Sequence, residues 1–346
     1  MSSRPIPPQL QPWALAQLAP PETGEQPVLQ LVTGDASNRR YFRLQTGSRS
    51  YIVAEAPPET EKNEAFLAVR DVLAGLGVRV PEVLAADLQR GYLLLEDLGD
   101  QVLLPLLNAD TVDDHYAQAR GILLLMADAQ DATKGLPGYD RALLAEELSR
   151  FGLWFVEALL EYSAEEEELA LTAALSEKLI ASALEQPQVL VHRDFHSRNL
   201  MPQPDGTLAV IDFQDAVTGP LTYDPASLLR DCYIQWPAQR VNAWALAHRD
   251  ELQAKGLLQQ VSDEQFLCWF DWTGLQRHIK VLGTFARLYL RDGKSAYLAD
   301  LPLVITYVRE ILHKYANRES EFAAFSAWFD SNLLPLIKQQ SWGTAL

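Results

Sequence analysis

Apolar and polar positions alternate through the first hundred residues with two different periods. Tyr41–Leu44 and Tyr51–Ala54 alternate every second residue around Gly47 and Ser48, which predicts a β-hairpin. From about Asn63 to Leu76 the period becomes helical, with Phe66, Val69, Leu73 and Leu76 on one face and Gly77 as the stop. Val78–Leu84 and Gly91–Leu95 read as two further strands, and Glu96-Asp97-Leu98-Gly99-Asp100 breaks the pattern as a linker. Beyond it, helical spacing predicts helices near 111–130, 140–161, 164–185, 239–255, 263–291, 301–315 and 318–337. The acidic run Glu165–Glu168 follows Ser163, and Ser163 with Glu166 predicts a capping box, so these acids serve a helix start. The exception to the helical pattern is 188–213, where Val189–Val191 and Leu208–Ile211 flank a polar loop and Asp205-Gly206 supplies a turn. The expected fold class is therefore α+β and bilobal: a small strand-rich N-lobe over 1–97 and a larger, mainly helical C-lobe over 98–346.

Composition narrows the class. The chain has 346 residues, 48% hydrophobic and 22% charged, which is ordinary for a soluble globular protein. No apolar run approaches the roughly 18 residues of a membrane span. The N-terminus has no apolar stretch of the secretory kind, so a cytoplasmic protein is expected. Cys232 and Cys268 lack CxxC spacing, which argues against zinc or a disulfide framework. A net charge of −17, from 29 basic and 46 acidic residues, opposes nucleic-acid binding. It would suit a cationic substrate, or serve solubility alone. No obligate protein partner is evident. One window departs from the total: 31–50 carries Arg39, Arg40, Arg43 and Arg49 against Asp35 alone, four minus one or net +3, on a glycine-containing loop of the kind a polyphosphate needs.

The polar loop carries the chemistry. It reads Val191-His192-Arg193-Asp194-Phe195-His196-Ser197-Arg198-Asn199-Leu200, and the strand after it ends in Val210-Ile211-Asp212-Phe213. HRD-x-x-x-x-N followed by Asp-Phe resembles the catalytic signature of the kinase superfamily. The closer resemblance is to the aminoglycoside phosphotransferase-like group, in which a His such as His196 sits inside the loop and no glycine need follow the Asp-Phe pair. Phosphoryl transfer leaves a protein little covalent work, so it positions groups and neutralises charge. Asp194 would orient the acceptor hydroxyl and take its proton. Asn199 and Asp212 would hold magnesium (Mg2+), a hard ion that prefers oxygen ligands, against the phosphates of ATP. His192 reads as a buttress of the loop, and His196 also as structural.

The same resemblance makes Thr33–Tyr41 the phosphate-covering loop, with Gly34, Ser37, Asn38 and Arg40 as nucleotide contacts. Glu96 and Leu98 become the hinge that offers backbone groups to adenine, and an ordinary interlobe linker fits the same residues. One departure stands out. The strand Tyr51-Ile52-Val53-Ala54-Glu55-Ala56 has no lysine to hold the α- and β-phosphates, while Glu64 occupies roughly the place of its glutamate partner. Either an arginine of the 39–43 cluster substitutes or this is a weak or inactive kinase, and the three polar residues kept in the catalytic loop favour substitution.

Asp212–Ala216 with Gly219–Pro225, Gly274–Gly283, Arg291–Lys294 and Ala56-Pro57-Pro58-Glu59 resemble the anomeric N-acetylmuramate/N-acetylglucosamine kinases of cell-wall recycling. That resemblance implies an amino-sugar acceptor phosphorylated at C1, and makes the missing lysine a family trait. Asp215 would bind sugar hydroxyls or form a salt bridge. Asp224 would cap a helix and steady the catalytic loop. Arg277, His278 and Lys280 would reach the acceptor or pair within the core. The alternatives are a kinase for an aminoglycoside, choline or homoserine, and an inactive nucleotide-binding regulator.

Overall fold

The computed structural model describes residues 5–19, 27–32, 38–129 and 133–344. It divides into two compact units, one of residues 1–103 and 198–215, the other of 104–197 and 216–346.

The first unit is built on a five-stranded antiparallel sheet of order β1-β2-β3-β5-β4, with β1 Leu29–Val32, β2 Arg40–Thr46, β3 Arg49–Glu55, β4 Val83–Asp87 and β5 Tyr92–Glu96. The predicted hairpin is β2–β3, in register from Arg40 opposite Glu55 to Thr46 opposite Arg49, and its turn uses the positive φ of Gly47. Phe42, Leu44, Val53 and Leu94 form a core on one face of the sheet with Leu10 and Ala14 of a short helix α1, Leu10–Ala16. Helix α2, Asn63–Gly75, buries Phe66, Val69 and Leu73, and Gly77 at φ +81° ends it.

The strand expected at Val78–Leu84 lies later, at Val83–Asp87. The backbone of 78–82 has another partner: the Arg79 carbonyl accepts the Val210 N–H at 2.8 Å. Val210 belongs to a small hairpin of β7, Leu200–Pro202, and β8, Leu208–Val210, which Leu103 also joins through its N–H to the Leu200 carbonyl at 2.8 Å. These bonds draw 198–215 into the first unit, whereas the sequence reading left it with the C-lobe.

The second unit is mainly helical: α3 Val112–Ala127, α4 Arg141–Arg150, α5 Glu166–Glu185, α6 Tyr223–Leu229, α7 Ala238–Ala254, α8 Asp263–Leu290, α9 Leu301–Tyr315, α10 Ser320–Trp328 and α11 Leu334–Gln339. Strands β6, Gln188–Val191, and β9, Val217–Pro220, pair antiparallel. The stretches read as single helices over 140–161 and 318–337 change to π-helical turns at Phe151–Leu159 and Phe329–Leu333. At the first change α8 comes very close: a Cβ on Gly283 would lie 2.3 Å from the Arg150 carbonyl carbon. The capping box of α5 is Glu165 with Glu168, whose Oε2 accepts the Glu165 N–H at 2.8 Å, and not Ser163 with Glu166. Among the described residues no helix is long and apolar enough to cross a membrane.

Candidate active site

In the first unit, Asn199 and Asp212 flank the open end of the β7–β8 hairpin, Asn199 just before β7 and Asp212 two residues after β8. The Ile211 N–H donates to the Asn199 carbonyl at 3.1 Å, so the two side chains leave neighbouring backbones. Asp212 adopts φ +65°, a conformation that aspartate tolerates better than most residues, and the Gln214 amide donates to its Oδ1 at 2.8 Å. Both residues line a cavity of about 400 Å³. Its other walls are Ile52, Leu95, Met201 and Ile211, the segment Glu96–Asp100, and Tyr41, Phe66 and Phe213. Leu98 also lines the cavity, and its N–H makes no hydrogen bond among the described residues. Glu96 is held by Arg79, one contact being Nη1 to Oε2 at 2.7 Å, so its side chain fixes the linker. An amide oxygen and a carboxylate with phosphate oxygens and water form a donor set that fits magnesium, which rarely takes an all-protein cage. Among the described residues no cluster of three or more His, Cys, Asp or Glu has metal-binding geometry.

Asp194 belongs to the second unit, in the loop that leaves β6. Two buried carboxylates grip the loop. Asp224, in the first turn of α6, accepts the N–H groups of His192 at 2.6 Å and Arg193 at 3.0 Å. Asp231 accepts the Ser197 N–H at 3.0 Å and its hydroxyl at 2.5 Å. Asp224 thus steadies the loop as expected, but it does not cap α6, whose first residue is preceded by Thr222. The loop turns through Arg193 at φ +77°. The cost of that conformation is offset by the Arg193 guanidinium, which pairs with the fully enclosed Glu147 and packs over the Tyr139 ring. Glu147 also receives Lys280 Nζ at 3.0 Å and the Tyr139 hydroxyl. Lys280 in turn donates to the Tyr223 hydroxyl at 3.0 Å.

Burial pushes the Asp194 carboxyl up, but the positive charges of Lys280, Arg277 and Arg193, with His196, outweigh it and bring it down to about 2. Asp194 is therefore ionised throughout the neutral range. Arg277 has one hydrogen bond among the described residues, from Nη1 to Cys232 Sγ at 3.4 Å. His278 turns away from this cluster: it is fully buried, stacked on Tyr307 at 4.8 Å and bonded to the Arg230 carbonyl at 2.9 Å. Its place is in the core, and the acceptor contact expected of it is not supported. His192 buttresses the loop, its Nδ1 accepting the Asp194 N–H at 3.2 Å.

The remaining expectations divide. Gly34 and Ser37 lie outside the described residues. The Asn38 N–H donates to Glu61 at 3.1 Å. Arg40 points to the α1 face of the sheet, where it pairs with Glu55 and packs over Phe42, because the strand period puts it opposite the cavity-lining Tyr41 and Arg43. Asp215 forms the salt-bridge alternative, with Lys62 at 3.2 Å. Glu64 is exposed, and Glu61 instead faces Arg39. Glu147, Asp231 and Glu61 were not singled out in the sequence. None of the three stood out by its spacing in the sequence.

Residues 28–257 match the model of the phosphotransferase enzyme family, APH. The chain is 43% identical over 295 residues to the N-acetylmuramate/N-acetylglucosamine kinase of Pseudomonas putida, covering 84% of this chain and 85% of that one. It is 37% identical to the protein of the same name from Neisseria meningitidis, covering 84% and 87%. Among solved structures, the choline kinase LicA from Streptococcus pneumoniae shares the fold with a TM-score of 0.57 at 16% identity, covering 83% of this chain and 94% of that one. The chain belongs to the APH phosphotransferase family.

Proposed function

We propose that the protein is an ATP- and magnesium-dependent kinase that phosphorylates the anomeric hydroxyl of N-acetylmuramate or N-acetylglucosamine. The observation that carries the phosphotransferase reading is Asn199 and Asp212 side by side on the wall of a cavity that Leu98 also lines, its N–H making no hydrogen bond among the described residues. The acceptor follows the names of the relatives at 43% and 37% identity. Adenine would enter against Ile52 and Leu95 with its edge at Leu98. Magnesium on Asn199 and Asp212 would neutralise charge on the transferring phosphoryl group. Asp194 would accept a hydrogen bond from the acceptor hydroxyl. With its carboxyl near 2 it acts mainly as an orienting group that receives the proton late, which suits a loose transition state with little nucleophilic demand.

The cations beside Asp194 bear on the acceptor. Lys280 and Arg277 oppose a cationic alcohol such as choline and favour a neutral or anionic one. The acidic composition and the absence of a long apolar helix among the described residues fit a cytoplasmic enzyme whose partners are small molecules, without nucleic acid or membrane. The test is incubation with ATP, MgCl2 and each sugar, followed by NMR of the product. A phosphate on C1 is expected. Phosphate on another carbon, or on neither sugar while choline or an aminoglycoside reacts, overturns the acceptor. ATP turnover that persists in Asp194→Ala overturns the catalytic assignment.

A further inference from the structure

The second unit holds a cavity that the chemistry described above does not use. Its volume is about 550 Å³, and it lies between the start of α7 and the later turns of α9. That size is within the roughly 300–1,000 Å³ of small-molecule sites. None of the charged groups that act on Asp194 lines it. Tyr307, on its wall, stacks on His278, the α8 residue that turns away from Asp194.

Three features of the wall suit an anion. Helix α7 starts after Pro237 with no side-chain cap and no acid in its first turn, and the N–H groups of Ala238 and Gln239 make no hydrogen bond among the described residues. Ala238, Val241 and Asn242, spaced three and four residues apart, turn one face of that start to the cavity. An open helix start carries partial positive charge. The second feature is Arg230, which lines the cavity although it is only 5% exposed. Its Nη2 is held by Asp271, while its Nε has no hydrogen-bond partner and its Nη1 makes no hydrogen bond among the described residues. The third is Lys314, which also pairs with Asp271. One enclosed carboxylate, already taking the Tyr315 hydroxyl at 2.8 Å, thus serves two cations. Glu310, an acid on the same wall, is exposed and bonded to Gln235 at 3.5 Å.

The rest of the wall suits a ring with hydroxyls. Asn242 Oδ1 is a buried acceptor with no partner among the described residues, and a hydroxyl can donate to it. The indole N–H of Trp236 is spent on the Tyr116 hydroxyl at 3.1 Å, so Trp236 offers the cavity apolar ring surface. We propose that this cavity binds a phosphorylated sugar, with its phosphate at the start of α7 beside Arg230 and Lys314, a ring hydroxyl on Asn242 and the ring against Trp236. The site itself does not depend on the acceptor reading above; the choice of probe does.

The test is calorimetric titration of N-acetylglucosamine 1-phosphate, and separately of inorganic phosphate, into the wild-type chain, Ala238→Glu and Asn242→Ala. The wild type should bind the sugar phosphate more tightly than phosphate alone. Ala238→Glu puts a carboxylate where it favours the helix but repels the ligand, so both ligands should bind about 10-fold or more weakly. Asn242→Ala removes an acceptor that the sugar alone uses. Its affinity for the sugar phosphate should fall about 2- to 10-fold while that for phosphate stays level. Undiminished binding of the sugar phosphate by Ala238→Glu would place the ligand at another site. Equal wild-type affinities for the two ligands would remove the sugar, and a wild type that binds neither would remove the site; each overturns the proposal. If Ala238→Glu does not fold, Lys314→Gln decides, since losing this cation should weaken both ligands. A chain that phosphorylates neither sugar refutes the acceptor reading and leaves these titrations to decide the cavity on their own.

Discussion

Replacing Glu147 by glutamine removes one negative charge from a site with 0% exposure at which two cations meet. Burial opposes the charge of this carboxylate, and Lys280 and Arg193 more than restore it, so its carboxyl lies below the ordinary range. Glutamine preserves the shape and one hydrogen-bond acceptor but leaves Arg193 and Lys280 facing each other with no counter-charge between them. Removing one partner of a buried ion pair costs about 3–5 kcal/mol. That is a large part of the roughly 5–15 kcal/mol that holds a domain folded. The assay is urea unfolding followed by circular dichroism, where a lower midpoint at constant slope reports lost stability. Glu177→Gln supplies the comparison, because Glu177 pairs with Arg141 on the surface and such pairs contribute little. The buried variant should unfold at clearly lower urea and the surface variant near the wild-type midpoint. Arg193 adjoins Asp194, so turnover per folded molecule should fall as well. Equal midpoints for the two variants would refute the claim that Glu147 anchors the loop.

Other consequences are measurable. Asp194→Asn should remove phosphoryl transfer while ADP binding, measured by titration, stays at the wild-type value. The buried Asp224 carboxyl is pushed up to about 6 by desolvation, despite the pull of His192 and the two amides it accepts. Its folded value exceeds the unfolded value near 3.9, so the proton is held longer when folded, and Asp224's contribution to stability declines as pH rises from about 4 to about 6 and is level above. Protonation weakens its grip on His192 and Arg193, so kcat should fall on the acid side with an apparent pKa of about 6, and Asp224→Asn should lower the plateau and abolish that limb; an unchanged limb assigns it to another group. Gly283→Ala should lower the unfolding free energy by about 1–3 kcal/mol, because the new Cβ meets the Arg150 carbonyl oxygen at 2.4 Å and backbone cannot swing aside. Gly152→Ala is the control, since nothing lies within 4 Å of a Cβ there.

Periodicity was a sound guide wherever one element buried one face against its own unit. The β2–β3 hairpin, α2 and the long helix α8 fall within a few residues of their expected limits. It failed where a partner distant in sequence took over the backbone. Residues 78–82 look like a strand by composition, but the Arg79 carbonyl accepts the Val210 N–H of the 200–210 hairpin and the Val78 N–H donates back to the Leu73 carbonyl. Ser163 has the right spacing for a cap, yet the helix begins at Glu166, where Glu168 satisfies the Glu165 amide. Helix α1 was masked by the prolines around it, and α6 by its brevity.

The candidate site divides along the same line. Asp194, Asn199 and Asp212 were legible because their spacing is imposed by one loop and one hairpin, both continuous in sequence. The groups that orient them were not: Glu147 reaches Arg193 across 46 residues, and nothing distinguishes it from its exposed neighbour Glu146 except the side of α4 on which each falls. Charge counting met the same limit. The net +3 of residues 31–50 suggested an open cationic patch, but Glu55, Asp97 and Asp100 lie outside that window and neutralise Arg40 and Arg43 in the folded chain. What a window of sequence reports as surplus charge is therefore an upper bound.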